Sequence, residues 1–468
     1  MNALLVVLTL LVSGGVIFMA PAEAPGALVM CALITLPTVI ILARGGPERT
    51  FLLRLFVAGL FIRLAVGAII YVAHFEDFFG ADANTYDAFG QALMGAWHGD
   101  SYQAAQYQRF VSSGAGAWGM LYVVAGVYEL IGRNMLAIQF ICAAVGAATP
   151  AVIYFIAQHL FNNVRVSRLA ALLTCFYPSL ILWSSQALKD GIIVMVLVLS
   201  ILATFRLMEK VSARYLGLLT LCLLGLLSLR FYIFYMMAAA VGGAFVIGVK
   251  AANAQNLLGR FVAIAVIGLV FTWFGVTRYA STQLERYGNL EAVQTSRLDA
   301  AQSAESGFGK DVDVSTTQGA LTAIPMGILY LLFAPFPWQL ASLRQSLTLP
   351  EMIVWWLSFP MLVLGLWFAI KYRLRQVTPI VLFTTMLTLA YSLFQGNVGT
   401  AYRQRSQLLV FYFIFVAVGA VLLKERSEDR RKQEQLAKQE LAELQAARAL
   451  ARRSALDRVP GHTALRES

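Results

Sequence analysis

Apolar residues in this chain arrive in blocks of about twenty, and that block length constrains the fold more than any other feature. Twenty helical residues rise about 30 Å, the thickness of the hydrocarbon core of a bilayer. Lipid offers the backbone no water, so a spanning segment must satisfy its own amides and carbonyls, as a helix does. A membrane β-barrel would instead show short stretches of alternating hydrophobicity, and the chain has none. The blocks are 2–20, 25–43, 53–74, 135–157, 168–186, 190–207, 214–229, 232–249, 261–278, 351–370, 379–395 and 407–424. Of 468 residues, 59% are hydrophobic and 13% charged, where a soluble domain carries roughly 25% charged residues. The expected fold class is therefore all-α: a polytopic membrane protein with about 12 transmembrane helices.

Positive charge orients the spans, because basic residues concentrate in cytoplasmic loops. Five loops qualify, marked by Arg44/Arg49/Arg54, Arg165/Arg168, Arg206/Lys210/Arg214, Lys250/Arg260 and Lys371/Arg373/Arg375. They share one side only if two further apolar stretches, 115–131 and 321–338, do not cross. The first carries Glu129 and several glycines; the second holds Pro325, Pro335, Pro337 and Trp338. Both are expected as interfacial or re-entrant helices on the external face. Both termini then lie in the cytoplasm, with the chain in an inner (plasma) membrane. The loops 75–134, 279–350 and 396–406 and the turn near 187–190 face outside. Residues 1–24 have no basic leader, so Ala22-Glu23-Ala24 is read as following an uncleaved first helix rather than as a cleavage site. Residues 1–424 form the transmembrane domain, and 425–468 a charged cytoplasmic helical tail. In that tail Leu436, Leu441, Leu444 and Leu450 recur near helical spacing, which reads either as a solvated helix or as a seam for a cytoplasmic protein partner.

Several function classes drop out. The formal net charge of +11 sits largely in short loops and the tail, so membrane topology accounts for it and no nucleic acid is expected. Cys31, Cys142, Cys175 and Cys222 all lie inside apolar blocks, as small core residues rather than a disulfide or zinc framework. No phosphate-binding glycine loop, zinc pattern or dinucleotide fingerprint stands at a credible place, which argues against a nucleotide-dependent cytoplasmic site.

The external loops hold the candidate chemistry. Asp82 stands where an N-cap would, ahead of Tyr86, Phe89 and Leu93 at helical spacing, so it is a cap, a carboxylate held at the membrane face, or both. Asp87 and Tyr86 follow as acceptor-binding or supporting residues. Lys189 and Asp190 link two spans with almost no loop. Lysine snorkelling and an aspartate cap explain them as well as a phosphate contact does. Arg230 stands between two spans, and Arg403 and Arg405 precede the last one, all on the outer face where arginine is disfavoured. Each is either a contact to ordinary phospholipid or part of a bidentate phosphate site, and their gathering on one face favours the second.

With these residues in view, the chain from about 53 to 210 resembles the GT-C glycosyltransferases. The likeness is to the polyprenyl-phosphate-sugar-dependent branch that includes protein O-mannosyltransferases and the aminoarabinose transferase of lipid A. It rests on a span followed by an acidic external loop with Asp82-x-x-x-Tyr86, an interfacial helix ending in Leu130-Ile-Gly-Arg-Asn134, and Ala170-Ala-Leu-Leu-Thr-Cys-Phe-Tyr-Pro178. Ala334-Pro-Phe-Pro-Trp338 and Gly396-Asn-Val-Gly-Thr400 are similar to stretches in polysaccharide-locus members. The resemblance implies Asp82 as catalytic base. It departs from the family at Asp82-Ala83, where Asp-Glu is common, and at Ser113-Gly-Ala-Gly-Ala-Trp118, where a Lys-Pro-Pro or His-Pro-Pro is common.

The resulting expectation is an inverting transferase moving a sugar from a polyprenyl-phosphate donor to an envelope polysaccharide, lipid or protein acceptor. Asp82 would be its base and Lys189, Arg230, Arg403 and Arg405 would hold the donor phosphate. Membrane lipids are further partners, the sequence establishes no cofactor, and a divalent metal ion is left open. A polymerase or ligase using a polyprenyl diphosphate oligosaccharide would lean on the arginines instead of Asp82. A lipid or sugar transporter would need charged residues at mid-membrane and an internal repeat, neither of which is clear in the sequence.

Overall fold

The computed structural model describes residues 2–44, 46–112, 118–247, 254–273, 275–302, 306–340 and 342–456. The Ser113 stretch before Trp118, the end of the 232–249 block, the Lys250 loop position and the last residues of the tail lie outside them.

The fold is all-α, and the only β pairing among the described residues is an isolated bridge between Gly307 and Asn397. Six helices are long and apolar enough to cross a membrane: Ala24–Ala43, Gly46–Val72, Met135–Phe161, Lys189–Glu209, Leu349–Phe394 and Val398–Ala449. Shorter apolar helices accompany them, including Val7–Met19, Ala213–Leu229 and Phe231–Ile247. The Leu349–Phe394 helix would run about 69 Å if straight, more than twice a hydrocarbon core. Its backbone leaves helical geometry at Arg373 (φ −137°, ψ 21°), which divides it into the two expected spans 351–370 and 379–395.

Three expectations need correction. The 168–186 block is two helices, Val164–Phe176 and Pro178–Ser184, bent by 56°. Pro178 has no amide to donate, and it forces Tyr177 into an extended conformation (φ −71°, ψ 124°). The 261–278 block stops at Trp273, and Gly275 takes a left-handed φ of 68° before the Val276–Tyr287 helix begins. The loop expected at 396–406 is helical from Val398 onward, in one helix that runs unbroken to Leu456. The boundary set at 424/425 therefore falls inside a continuous helix, whose exposed Leu436, Leu441 and Leu444 lie beyond it. The two stretches expected to be interfacial or re-entrant fold as the apolar helices Trp118–Ile131 and Thr317–Phe333, and all four cysteines are buried free thiols.

The Met135–Phe161 helix occupies the middle of the bundle, 83% buried along its apolar window. At one end of the bundle the basic loops meet. Arg168 grips Glu48 with two hydrogen bonds (2.8 and 2.9 Å), Arg165 reaches Glu428 of the tail (2.9 Å), and Arg373 donates to the Leu160 carbonyl (3.2 Å). Three of the five expected basic loops, those at 44–54, 165–168 and 371–375, thus meet at this end. Mid-membrane is not free of charge, however. Arg63, near the centre of the Arg49–Val72 helix, is 1% exposed. It donates to Ser184 Oγ (2.8 Å) and to the carbonyls of Gly59 (3.0 Å) and Cys175 (3.2 Å). Such neutral acceptors satisfy a guanidinium's donors without a carboxylate, and they pin three segments together.

The closest helix crossing joins Leu349–Phe394 to Val398–Leu456. A side-chain carbon at Gly365 would overlap the Phe415 carbonyl, and one at Gly419 the Met361 carbonyl. Small residues of this kind let membrane helices approach where no hydrophobic force drives them together. We expect Gly365→Ala and Gly419→Ala each to cost about 1–3 kcal/mol of stability, read as a lower melting temperature in detergent. Gly14→Ala, which would meet nothing within 4 Å, should leave it unchanged.

Candidate functional site

At the end of the bundle opposite the basic loops, four points in the chain converge on one buried carboxylate. Asp190 follows directly on a tight turn: Leu188 is extended (φ −115°, ψ 147°), and the Lys189–Glu209 helix begins one residue later. Its side chain is 0% exposed and makes no cap. It accepts from Arg403 Nε (2.8 Å) and Nη2 (2.5 Å) at Oδ2 and from Arg230 Nη2 (3.2 Å) at Oδ1. Arg230 occupies the break between the Ala213–Leu229 and Phe231–Ile247 helices in an extended conformation, so its side chain leaves the helical path and turns inward. It also donates to the hydroxyls of Tyr232 (2.9 Å) and Tyr391 (3.4 Å), and Tyr391 in turn donates to Gln407 Oε1 (2.5 Å).

Asp82 enters from the short helices that follow the Arg49–Val72 helix. It is the first residue of the Asp82–Trp97 helix, where Ala81 takes the cap position and no side chain caps the helix, so the cap expectation fails. Its Oδ2 accepts from Arg403 Nη1 at 2.7 Å, and its side chain is 52% exposed. Arg403 therefore joins one dry carboxylate to one wet one. Lys189 lies 5.8 Å from the Tyr86 ring centroid and has no hydrogen bond or ion pair among the described residues. Burial, reinforced by the Asp82 and Asp190 carboxylates, pushes the Tyr86 phenol well above its ordinary value and keeps it neutral. Two guanidinium groups and the Lys189 amine thus face two carboxylates, and their N–H donors are the groups that a bound anion would engage.

The cluster opens into a cavity of about 1130 Å³ with three kinds of wall. Asp82, Lys189, Arg230 and Arg403 supply charge, and Arg344, which lies 5.0 Å over the Phe78 ring, adds a further basic group to the lining. Ile62, Val66, Phe79, Pro178, Ile181 and Leu182 form an apolar wall. Ser342, Thr348, Asn397, Thr400 and Gln404 form a neutral polar one, together with Glu351. The Pro335 and Asn397–Thr400 positions of the two polysaccharide-locus-like stretches also line it.

Two expected site residues lie elsewhere. Arg405 is two helical positions past Arg403, about 200° around the axis. It is 1% exposed, bonds the Ala334 carbonyl and lies 5.5 Å over the Tyr402 ring. Asp87 projects from another face of its helix than Asp82. It pairs with Arg133 and accepts from Tyr128 (2.6 Å), tying the Asp82–Trp97 helix to Trp118–Ile131. The sequence reading missed Tyr391, Gln407, Trp183, Tyr402 and Glu351. The available signal was polarity inside apolar blocks, which Tyr391 and Gln407 both carry. No group of three His, Cys, Asp or Glu side chains able to hold a metal ion occurs among the described residues.

Residues 117–274 match the family model described as dolichyl-phosphate-mannose-protein mannosyltransferase. No curated protein matches the chain. The match bears out the resemblance over this segment, which starts and ends later than the 53–210 stretch read from motifs, and it supports a membrane glycosyltransferase as the general class. Lys189, Asp190 and Arg230 lie inside the matched segment, whereas Asp82 and Arg403 lie outside it and reach the cluster through the fold.

Removing the dry carboxylate strands two buried guanidinium groups. We expect Asp190→Asn to destabilise the protein by about 3–5 kcal/mol. Asp82→Asn, which breaks the half-exposed pair, should cost less than about 1 kcal/mol. Thermal unfolding in detergent compares them, and equal losses would refute the assignment of Asp190 as the keystone.

Proposed function

We propose that this cavity is the active site of a glycosyltransferase that takes a sugar from a polyprenyl-phosphate donor. The acceptor is a hydroxyl of an envelope polysaccharide, lipid or protein at the external face of an inner (plasma) membrane. The observation that carries this reading is a single cavity lined by Lys189, Arg230, Arg344 and Arg403, by a half-exposed carboxylate and by apolar side chains. A polyprenyl phosphate has the matching chemistry: a dianionic or monoanionic head and a long apolar tail. Arg403 and Arg230 present planar forks suited to phosphate oxygens, and Lys189 adds a point charge. The residues from 1 to 424 supply this chemistry, and the tail from 425 lies in the cytoplasm with the N-terminus.

In the proposed reaction Asp82 takes the proton of the acceptor hydroxyl as that oxygen attacks the anomeric carbon. The bond to the phosphate oxygen breaks, and the cations stabilise the departing polyprenyl phosphate. A single displacement of this kind inverts the anomeric centre. A donor phosphate on Arg403 competes with Asp82 for Nη1, so donor binding itself frees the carboxylate to act as a base. Asp190 stays in place, because it is dry and doubly held.

The test is transfer from a panel of radiolabelled polyprenyl-phosphate sugars by purified protein. We expect Asp82→Asn to retain donor and lose about 10²–10⁴-fold in transfer rate, and Arg403→Ala and Arg230→Ala to lose donor binding. Lys189, a third cation without an ion pair, also suits the larger charge of a diphosphate-linked oligosaccharide, as a polymerase or ligase would use. Full transfer by Asp82→Asn with loss in Arg403→Ala would favour that reading.

A further inference from the structure

We infer that Glu351 marks a sugar-binding end of the same cavity and holds a hydroxyl of the donor sugar through its Oε1. This inference rests on the donor reading above.

Glu351 lines the cavity and is 5% exposed. Both of its hydrogen bonds end on one oxygen: Oε2 accepts from the Ser179 amide (2.7 Å) and from the Tyr402 hydroxyl (2.7 Å). A carboxylate can accept about four hydrogen bonds, and neither of these reaches Oε1; the Tyr177 hydroxyl lies beside the carboxyl but makes no hydrogen bond to it. Nor does Glu351 form an ion pair among the described residues, since the nearby Arg405 guanidinium bonds the Ala334 carbonyl and contacts Met352 Sδ. A nearly buried carboxylate with half its acceptor capacity unused, on the wall of a large cavity, is costly unless something donates to it.

The chemistry of that donor is narrow. A phosphate would be repelled by the carboxylate and drawn to the guanidinium groups of Arg230, Arg344 and Arg403 that line the same cavity. A hydrocarbon tail has no donor to give. Sugar hydroxyls donate without carrying charge, and the neighbouring Thr348, Asn397, Thr400 and Gln404 are neutral groups able to both give and accept hydrogen bonds. The two ends are joined by aromatic rings: Arg403 lies 5.6 Å over Trp183, and Trp183 lies 6.3 Å from Tyr402, which bonds Glu351. A sugar attached to a phosphate on Arg403 would therefore extend past Trp183 toward Glu351.

Glu351→Gln separates this role from a structural one. The amide oxygen can still accept from Ser179 and Tyr402, while the group replacing Oε1 becomes a donor. Binding of two radiolabelled probes to detergent-purified protein is the readout: bare polyprenyl phosphate, and polyprenyl-phosphate hexoses that differ in one hydroxyl. We expect Glu351→Gln to keep the bare lipid at wild-type affinity and to bind at least one hexose donor about tenfold more weakly. Its preference among epimers should also change. Arg403→Ala should weaken both probes. Unchanged binding of both probes by Glu351→Gln, or an equal loss of both, overturns the inference and leaves Glu351 a structural tie. Retention of neither probe by the wild type would instead remove the donor reading, and this inference with it.

Discussion

One carboxylate held by two guanidinium groups organises the end of the bundle opposite the basic loops. Asp190 takes three hydrogen bonds, from Arg403 and Arg230, and those arginines come from segments separated by most of the second half of the chain. Taking such charges out of water is expensive, and the cost is offset only when geometry satisfies every partner. Here the remaining donors are used as well. Arg230 bonds two tyrosines, and Arg403 keeps one N–H for the half-exposed Asp82. The cluster is therefore rigid on its dry side and exchangeable on its wet side. An incoming anion meets fixed cations and one replaceable counter-ion.

The membrane frame was legible because its cause is local. Block length, hydropathy and basic loops depend on nothing but the chain's own order, and helices at those blocks follow from the backbone's need for partners in lipid. The breaks were less legible. Pro178 was visible, but the 56° bend after Phe176 follows from how the two halves pack, and the continuity of Val398–Leu456 follows from the burial of Ser406 and Gln407. Arg63 reads as an anomaly in a span until Ser184, Gly59 and Cys175 are seen to surround it.

The site was legible in part for the same reason. Arginines on the outer face stood out against charge bias, and three of the four cations, with Asp82, Tyr86 and Asp190, do meet at one place. Arg403 and Arg405 looked equivalent in sequence, yet two residues on a helix point nearly opposite ways, and only Arg403 lines the cavity. Glu351 gave no comparable signal. An acid at the head of a span is ordinary, and its significance depends on Ser179 and Tyr402 occupying a single oxygen. Such information exists only in three dimensions, as does the arrival of Asp82 and Arg403 beside residues of the matched 117–274 segment.

The glycine crossing between the last two long helices bears on more than packing. Glu351 and Arg403 belong to the same two helices that touch at Gly365 and Gly419, and they lie about 21 and 24 Å from the contact along each axis. The arrangement is that of a pair of shears with its pivot deep in the bundle and its blade tips tied to each other at the cavity, Tyr402 to Glu351. With arms of that length, a tilt of roughly 10° at the pivot shifts each blade tip by about 4 Å, more than the length of a hydrogen bond. The bore of the cavity is thus gauged by two backbone-to-backbone contacts remote from any of the polar groups that line it.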